Sequence, residues 1–346
     1  MKNYELFLVS RKNIYCQLYI SNEVFFKLEK LLNPYFSIEK IVNENTHAWT
    51  LFEEFSSERY NSSYKEKIEQ SGDEPATHLY FNNKEKSIML YNCSQDWKAM
   101  VLLRIIRNIF RWEMFEKGME FIHGGLVSIN DHGVAIIGPK GAGKTSTILS
   151  LLARQGIGFS TNDDVAFSRE RGNFRAYGWP RSIGVRKNTL FSLKEYAPNY
   201  INAFKELNHP GQKIKREGGS GVTDIVDFLP YELANCYNSQ IVSDTRLDFI
   251  VFPKFTTNSI PSVRILNKED AYNKLVNCFE IKPTLYNSYL EECFTLVQRE
   301  GKLFLKEMVE NTICLDFEQS MDNMEYSSCV LESTIYELIE SRKKTL

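Results

Sequence analysis

Apolar and polar side chains alternate with a period of two over residues 5–9, 14–20, 77–81 and 87–91, the spacing that puts every second side chain on one face of a strand. A short polar stretch beginning Asn82-Asn83-Lys84 joins the last two runs and suits a hairpin connection. Between the pairs, residues 23–32 have helical spacing, and residues 56–74 are polar enough to read as a loop. None of these segments carries a chemical motif. Residues 1–94 therefore read as a β-rich accessory region that scaffolds, with docking of a partner or substrate as the functional alternative.

From residue 97 the period becomes helical. Val101, Leu102, Ile105, Ile106, Ile109 and Phe110 line one side of a helix predicted over residues 97–117, and Gly118 is placed to stop it. The spacing of Arg104, Arg107 and Arg111 suits a solvated face, with an anion contact as the alternative. Apolar runs at residues 120–129 and 134–137 flank Asn130-Asp131-His132-Gly133, which predicts an antiparallel hairpin. A helix over 146–153 and a strand over 157–162 follow, then a second hairpin with arms at 165–167 and 173–177. Residues 178–186 form a turn-rich connector, and a polar, helix-like region extends to about residue 207. Further on, residues 247–253 read as a buried strand and residues 262–266 as a strand leading into a helix over 268–278. Beyond residue 283 helical stretches alternate with short apolar runs, ending in an amphipathic helix over 330–342.

The chemistry sits where the first hairpin ends. Gly138, Pro139, Lys140, Gly141, Ala142, Gly143, Lys144 and Thr145 make a complete G-x-x-x-x-G-K-[ST] phosphate loop between a strand and a helix, the context that the motif requires. Its glycines let backbone N–H groups face a phosphate chain, and Ser146 continues into the helix whose N-terminus adds a positive dipole end. Lys144 is expected to reach the outer phosphates, and the Thr145 hydroxyl to ligate magnesium. Asp163 and Asp164 follow at a strand end. Beside a phosphate loop they suit a pairing of metal ligand and base, and strand alternation predicts opposite faces and different jobs for them. Arg181 in the connector, and Lys213, Lys215 and Arg216 ahead of a glycine run, could hold phosphate or an acidic substrate as a lid; an ordinary solvated loop is the alternative. Asn267-Lys268-Glu269-Asp270 matches the guanine-reading N-K-x-D, but no D-x-x-G follows the phosphate loop, and a helix cap accounts for the match.

Composition narrows the setting. With 42 Lys+Arg against 44 Asp+Glu in 346 residues, no basic field points to nucleic acid. The seven cysteines are scattered and never in C-x-x-C spacing, which fits reduced thiols in the cytoplasm. No window is long and apolar enough for a membrane span or a signal peptide, so a cytoplasmic location is expected.

His123-Gly124, the strand into residues 138–145, and Asn162-Asp163-Asp164 together resemble the HPr serine kinase family. Residues 112–186 look closer still to the HPr-kinase-like proteins of bacterial peptide-tailoring clusters, including lasso-peptide kinases, and residues 247–276 are similar to that group; the resemblance covers about residues 95–280. It implies an α/β fold with an HPr-kinase-like phosphate-loop core at 95–281, mixed sheet and flanking antiparallel hairpins. That core would be preceded by the accessory region at 1–94 and followed by a helical region at 282–346. It also implies ATP and Mg2+ as cofactors. Asp163 would be the general base, with His123 hydrogen-bonded nearby to tune it. Asp164 would help Thr145 hold magnesium, and Lys144 would neutralise the transferred phosphoryl group. The chain departs from the HPr kinases at Pro139-Lys140 and Thr145, and lacks their later arginine- and glycine-rich segment. The departures argue against HPr as substrate and against phosphorylase activity. The expected acceptor is a Ser or Thr hydroxyl on a peptide or small protein, such as a ribosomally made precursor peptide; a homo-oligomer is left open. A small-molecule kinase, with a deep pocket beside Asp163, and a non-catalytic nucleotide-binding switch are the alternatives.

Overall fold

The computed structural model describes residues 3–45, 47–70, 75–193, 207–212, 224–257, 260–279, 290–294 and 301–344. The chain is an α/β protein with mixed sheets. Its contacts divide it into two compact units. One comprises Met1–Gly118, His209–Val222 and Ile281–Gln298; the other comprises Met119–Asn208, Thr223–Glu280 and Arg299–Leu346.

The first unit is built on a seven-stranded sheet. Its strands are β1 (Tyr4–Arg11), β2 (Ile14–Ser21), β3 (Ser37–Lys40), β4 (Trp49–Phe52), β5 (Lys65–Glu69), β6 (Thr77–Asn82) and β7 (Ser87–Tyr91), in the order β3-β1-β2-β4-β7-β6-β5. Lys12 and Asn13 both have positive φ between β1 and β2, the two-residue turn whose twist matches paired strands. β5 falls inside the stretch expected as a loop. Its sequence Lys-Glu-Lys-Ile-Glu is nearly all polar because it is an outermost strand, where charged side chains discourage further pairing. Helix α1 (Asn22–Leu32) starts at Ser21, whose hydroxyl accepts the Val24 N–H.

Helix α2 (Gln95–Glu116) is buried on almost every side, not along one stripe. Met100, Leu103, Trp112 and Met114 are buried as well as the predicted apolar line, and Arg111 is only 4% exposed. The expected solvated arginine face holds only in part: Arg111 is buried, while Arg104 and Arg107 are half-buried. α2 packs on α1 and β2, so the contact division falls after Gly118, whereas the sequence set it at residue 94.

Within this unit, Lys98 of α2 reaches Glu53 at 3.2 Å and also pairs with Glu54; Lys98 and Glu53 are 5% and 0% exposed. Glu53 accepts the Ser21 N–H at 2.7 Å as well, so one carboxylate ties α2, the end of β4 and the start of α1. Lys98→Ala removes the Lys98 ammonium from that buried carboxylate. The expected cost is about 3–5 kcal/mol, measured by denaturant unfolding, with Lys98→Met in a Glu53→Gln background recovering a large part.

The second unit holds a nine-stranded sheet. β8 (Glu120–Ile122), β9 (Gly124–Ile129), β10 (His132–Ile137), β11 (Ile157–Thr161), β12 (Val165–Glu170), β13 (Asn173–Tyr177) and β16 (Asp244–Thr256) lie in the order β11-β9-β10-β16-β13-β12-β8. β18 (Ile313–Ser320) lies parallel to β16, and β17 (Ser262–Ile265) pairs with β18. β14 (Ile183–Arg186) and β15 (Ile225–Phe228) form a separate two-stranded sheet. Both predicted hairpins turn on two residues of positive φ, Asn130-Asp131 and Arg171-Gly172.

Helix α3 (Lys144–Leu152) and the helix Met324–Lys343 contribute Ile148, Leu149, Leu331 and Ile335 to one core, with Val127, Phe249 and Phe317 from the sheet. The helices Lys268–Val276 and Gly301–Asn311 cover a second core with Leu126, Ile250 and Phe252. Adjacent residues of β9 and of β16 thus alternate between the two cores, as strand geometry requires. The tail expected to be helical supplies β18 to the sheet. Its alternation of apolar and polar residues is short, and its pairing with β16 is long-range, so local pattern did not expose it. The N-K-x-D match is a cap: Asn267 Oδ1 accepts the Asp270 N–H at 2.8 Å, and Asn267 Nδ2 donates to Asp270 Oδ2 at 2.8 Å.

Candidate active site

Three backbone positions stand in one row across the strand ends of the second unit's sheet. Ile137 of β10 pairs with Gly124 of β9. On the other side of β9, the Gly124 N–H donates to the Asp163 carbonyl at 3.3 Å. Neighbouring strands lie about 4.8 Å apart, so the Ile137 and Asp163 backbones are roughly 10 Å apart with Gly124 between them. The phosphate loop leaves the sheet directly after Ile137, and His123 directly precedes Gly124. Sheet register alone therefore gathers the loop, His123 and the aspartate pair.

The same register continues beyond a break. Leu126 pairs with Thr161 where β9 meets β11, and Ile122 pairs with Val165 where β8 meets β12. These two ladders form one antiparallel ribbon, interrupted at His123, Gly124 and Gly125 on one arm and at Asn162, Asp163 and Asp164 on the other. Because the pair lies between strands, it escapes the alternation expected of strand residues. Arg181 meets both carboxylates, with Nη1 at 2.8 Å from Asp164 Oδ2 and Nε at 3.7 Å from Asp163 Oδ2. The expectation of opposite faces is corrected accordingly. Their surroundings still differ: the Asp163 side chain is 29% exposed and that of Asp164 2%.

His123 Nδ1 lies 2.9 Å from the Asp163 carbonyl oxygen. A carbonyl only accepts, so Nδ1 carries the proton in this bond. This bond reaches the Asp163 main chain and so fixes where its carboxylate starts.

In the loop, Gly141 and Gly143 have φ of 86° and 96°, and Gly143 is the N-cap of α3. Left-handed residues alternating with ordinary ones turn successive N–H groups to one side, a concavity suited to an anion. Gly143 meets a second constraint, since a Cβ there would overlap the Gln319 amide and the Phe255 ring. Gln319 Nε2 donates to the Gly143 carbonyl at 3.3 Å, and Thr147 Oγ1 donates to Gln319 Oε1 at 3.2 Å. The end of β18 thus braces the loop from behind. Lys144 Nζ donates to the Gly138 and Pro139 carbonyls at 2.7 and 3.1 Å, arching over its own loop. Pro139, Lys140 and Gly141 are exposed, Ala142 and Thr145 half-buried, and Ser146 buried. Gly125 explains the His-Gly-Gly run, because a Cβ at that position would run into Ile148 of α3. The close approach of α3 to β9 depends on its absence.

A scan of the sequence against protein-family models finds no match, and a search of curated proteins finds none. Among solved structures the chain is similar to the HPr(Ser) kinase/phosphatase from Coxiella burnetii, at 9% identity and a TM-score of 0.31, over 63% of this chain and 98% of that one. A likeness of that level assigns neither activity nor residues.

The residues present fit a phosphate chain with a divalent cation. Magnesium is usually held by one or two carboxylates together with phosphate oxygens and water, not by an all-protein cage. Among the described residues no group of three or more His, Cys, Asp and Glu side chains converges as a metal site. A sparse donor set of that kind would be Asp164 and the Thr145 hydroxyl, the two positions that the sequence proposes. Asn162 Oδ1 adds to it, since it is buried and accepts no hydrogen bond from the described residues. The sequence motif includes Asn162 without giving it a role, and it does not reach Gln319 at all. An asparagine beside two aspartates at a strand end is a signal for the first, whereas nothing local marks the second. Lys213, Lys215 and Arg216 lie outside the described residues.

Gly143→Ala tests the cradle. It introduces a left-handed alanine against Gln319 and Phe255, so the second unit should lose roughly 1–3 kcal/mol. Calorimetric titration with a nucleoside triphosphate should show binding weakened at temperatures where the variant is still folded.

Proposed function

We propose that this chain is an ATP- and magnesium-dependent kinase with an HPr-kinase-like core, which transfers the γ-phosphoryl group to a Ser or Thr hydroxyl on a peptide or small protein. A ribosomally made precursor peptide in the cytoplasm is the favoured acceptor. The observation that supports this reading is the row Ile137, Gly124, Asp163, which puts the backbone of a partly exposed aspartate in register with the strand end that feeds the phosphate loop.

Bound ATP and magnesium would supply the activated phosphoryl group and the neutralising divalent charge. The loop N–H groups and the α3 N-terminus hold the phosphates. Lys144, which donates to the Gly138 and Pro139 carbonyls in this structure, would offset charge on the group in transfer. Asp163 accepts the proton of the acceptor hydroxyl, with its backbone fixed by His123. Asp164 and Thr145 would hold the cation, with Asn162 Oδ1 as a further oxygen. Phosphoryl transfer needs this positioning and charge stabilisation more than it needs covalent chemistry.

A second reading, a nucleotide-binding switch without catalysis, draws on the contact between Arg181 and Asp163, which in this state sets a cation beside the candidate base. Asp163→Asn separates the two. For a kinase, turnover should fall by about a hundredfold or more while ATP binding by calorimetry stays within a few-fold; unchanged turnover sinks the base assignment. Lys144→Ala should weaken triphosphate binding or transfer. The acceptor itself is found by incubating the protein with labelled ATP and the peptides encoded beside its gene, read by mass spectrometry.

A further inference from the structure

The placement of Arg181 is constructed by the fold. Gly178 donates its N–H to the Ser243 carbonyl at 2.9 Å, and a Cβ on Gly178 would strike Ser160 at the end of β11. Trp179 is fully buried, with its ring 5.8 Å from that of Phe121. The Arg181 N–H then donates to the Trp179 carbonyl at 2.8 Å, closing a three-residue turn about Pro180. Glycine, buried tryptophan and proline in succession steer the guanidinium back onto the aspartate pair.

Asp164 is 1% exposed, and a carboxylate buried to that degree needs a cation beside it. The guanidinium at 2.8 Å provides that charge in this state. A divalent cation arriving at the same carboxylate would meet like charge at close range, in surroundings that screen it poorly. The buried Asn162 Oδ1, which accepts no hydrogen bond from the described residues, lies in the same interruption of the ribbon and is the kind of oxygen that a hard cation takes. The Arg181 side chain is 32% exposed, so it has solvent to move into.

We infer that Arg181 is the resident counter-ion of Asp163 and Asp164 and competes with the divalent cation for Asp164. Free cation is held off, and the metal enters together with the nucleotide, whose own negative charge offsets the guanidinium. Arg181 is a positioning residue that imposes an order of binding. The inference rests on the nucleotide-site reading of the loop.

Mn2+ serves as the probe, followed by electron paramagnetic resonance on the nucleotide-free protein. Arg181→Gln should bind free Mn2+ roughly tenfold more tightly than the unaltered chain, Arg181→Lys should fall between, and adding Asp164→Asn should remove the gain. The melting temperature of nucleotide-free Arg181→Gln should fall and be restored by Mn2+. Equal Mn2+ affinity in the folded Gln variant and the unaltered chain overturns the inference, as does a gain that survives Asp164→Asn. If the Gln variant does not fold, the Lys variant decides, and affinity equal to that of the unaltered chain counts against competition. Calorimetry with Mg·ATP on the unaltered chain is read separately. Failure there removes the nucleotide reading, while the Mn2+ comparison still reports on Arg181 and Asp164.

Discussion

Everything at the candidate site depends on the antiparallel ribbon that runs from β8 through β9 against β11 and β12. Its register is held on either side of the interruption by buried pairs, Leu126 with Thr161 and Ile122 with Val165, the first standing just past a bulge between Phe159 and Thr161. A slip of one residue would turn Leu126 and Val127 to the wrong cores, so the interruption between the two ladders cannot wander. His123 and the Asn162-Asp163-Asp164 segment occupy that interruption because the hydrophobic positions around them leave no other place. The chemistry is thus held by residues that take no part in it.

The alternation of apolar residues was enough to place most of the strands and the hairpins feeding the phosphate loop, since half-buried strands write their period directly into the sequence. β5 escaped because an edge strand of Lys-Glu-Lys-Ile-Glu has too little apolar face to write one. The breadth of α2's burial escaped because one apolar stripe was visible and the rest was taken for a polar side. β18 escaped because its partner, β16, is distant in sequence.

The site divides in the same way. Glycine spacing, Lys144 and the aspartate pair are local features, and their meeting follows from strand order. Arg181 stood out as a cation, but its attachment to Asp163 and Asp164 depends on a turn made by Gly178, Trp179 and Pro180, which no period encodes. Gln319 could not have been found from sequence alone. Its amide bonds to Gly143 and Thr147 only once β18 lies beside β16. The contact between Arg181 and both carboxylates also shows why adjacent aspartates need not face apart, because the backbone between two ladders is free of the strand's alternation.

The brace from Gln319 carries a consequence for how the protein is made. The ribosome delivers the phosphate loop long before it delivers β18, and a pairing so distant in the chain is costly in loop closure and slow to form. Until it forms, α3 lacks its support behind Gly143, and the sheet beyond β16 has an open edge of the sort that pairs with other chains. The nascent polypeptide therefore carries a nucleotide cradle that is spelled out early and finished late.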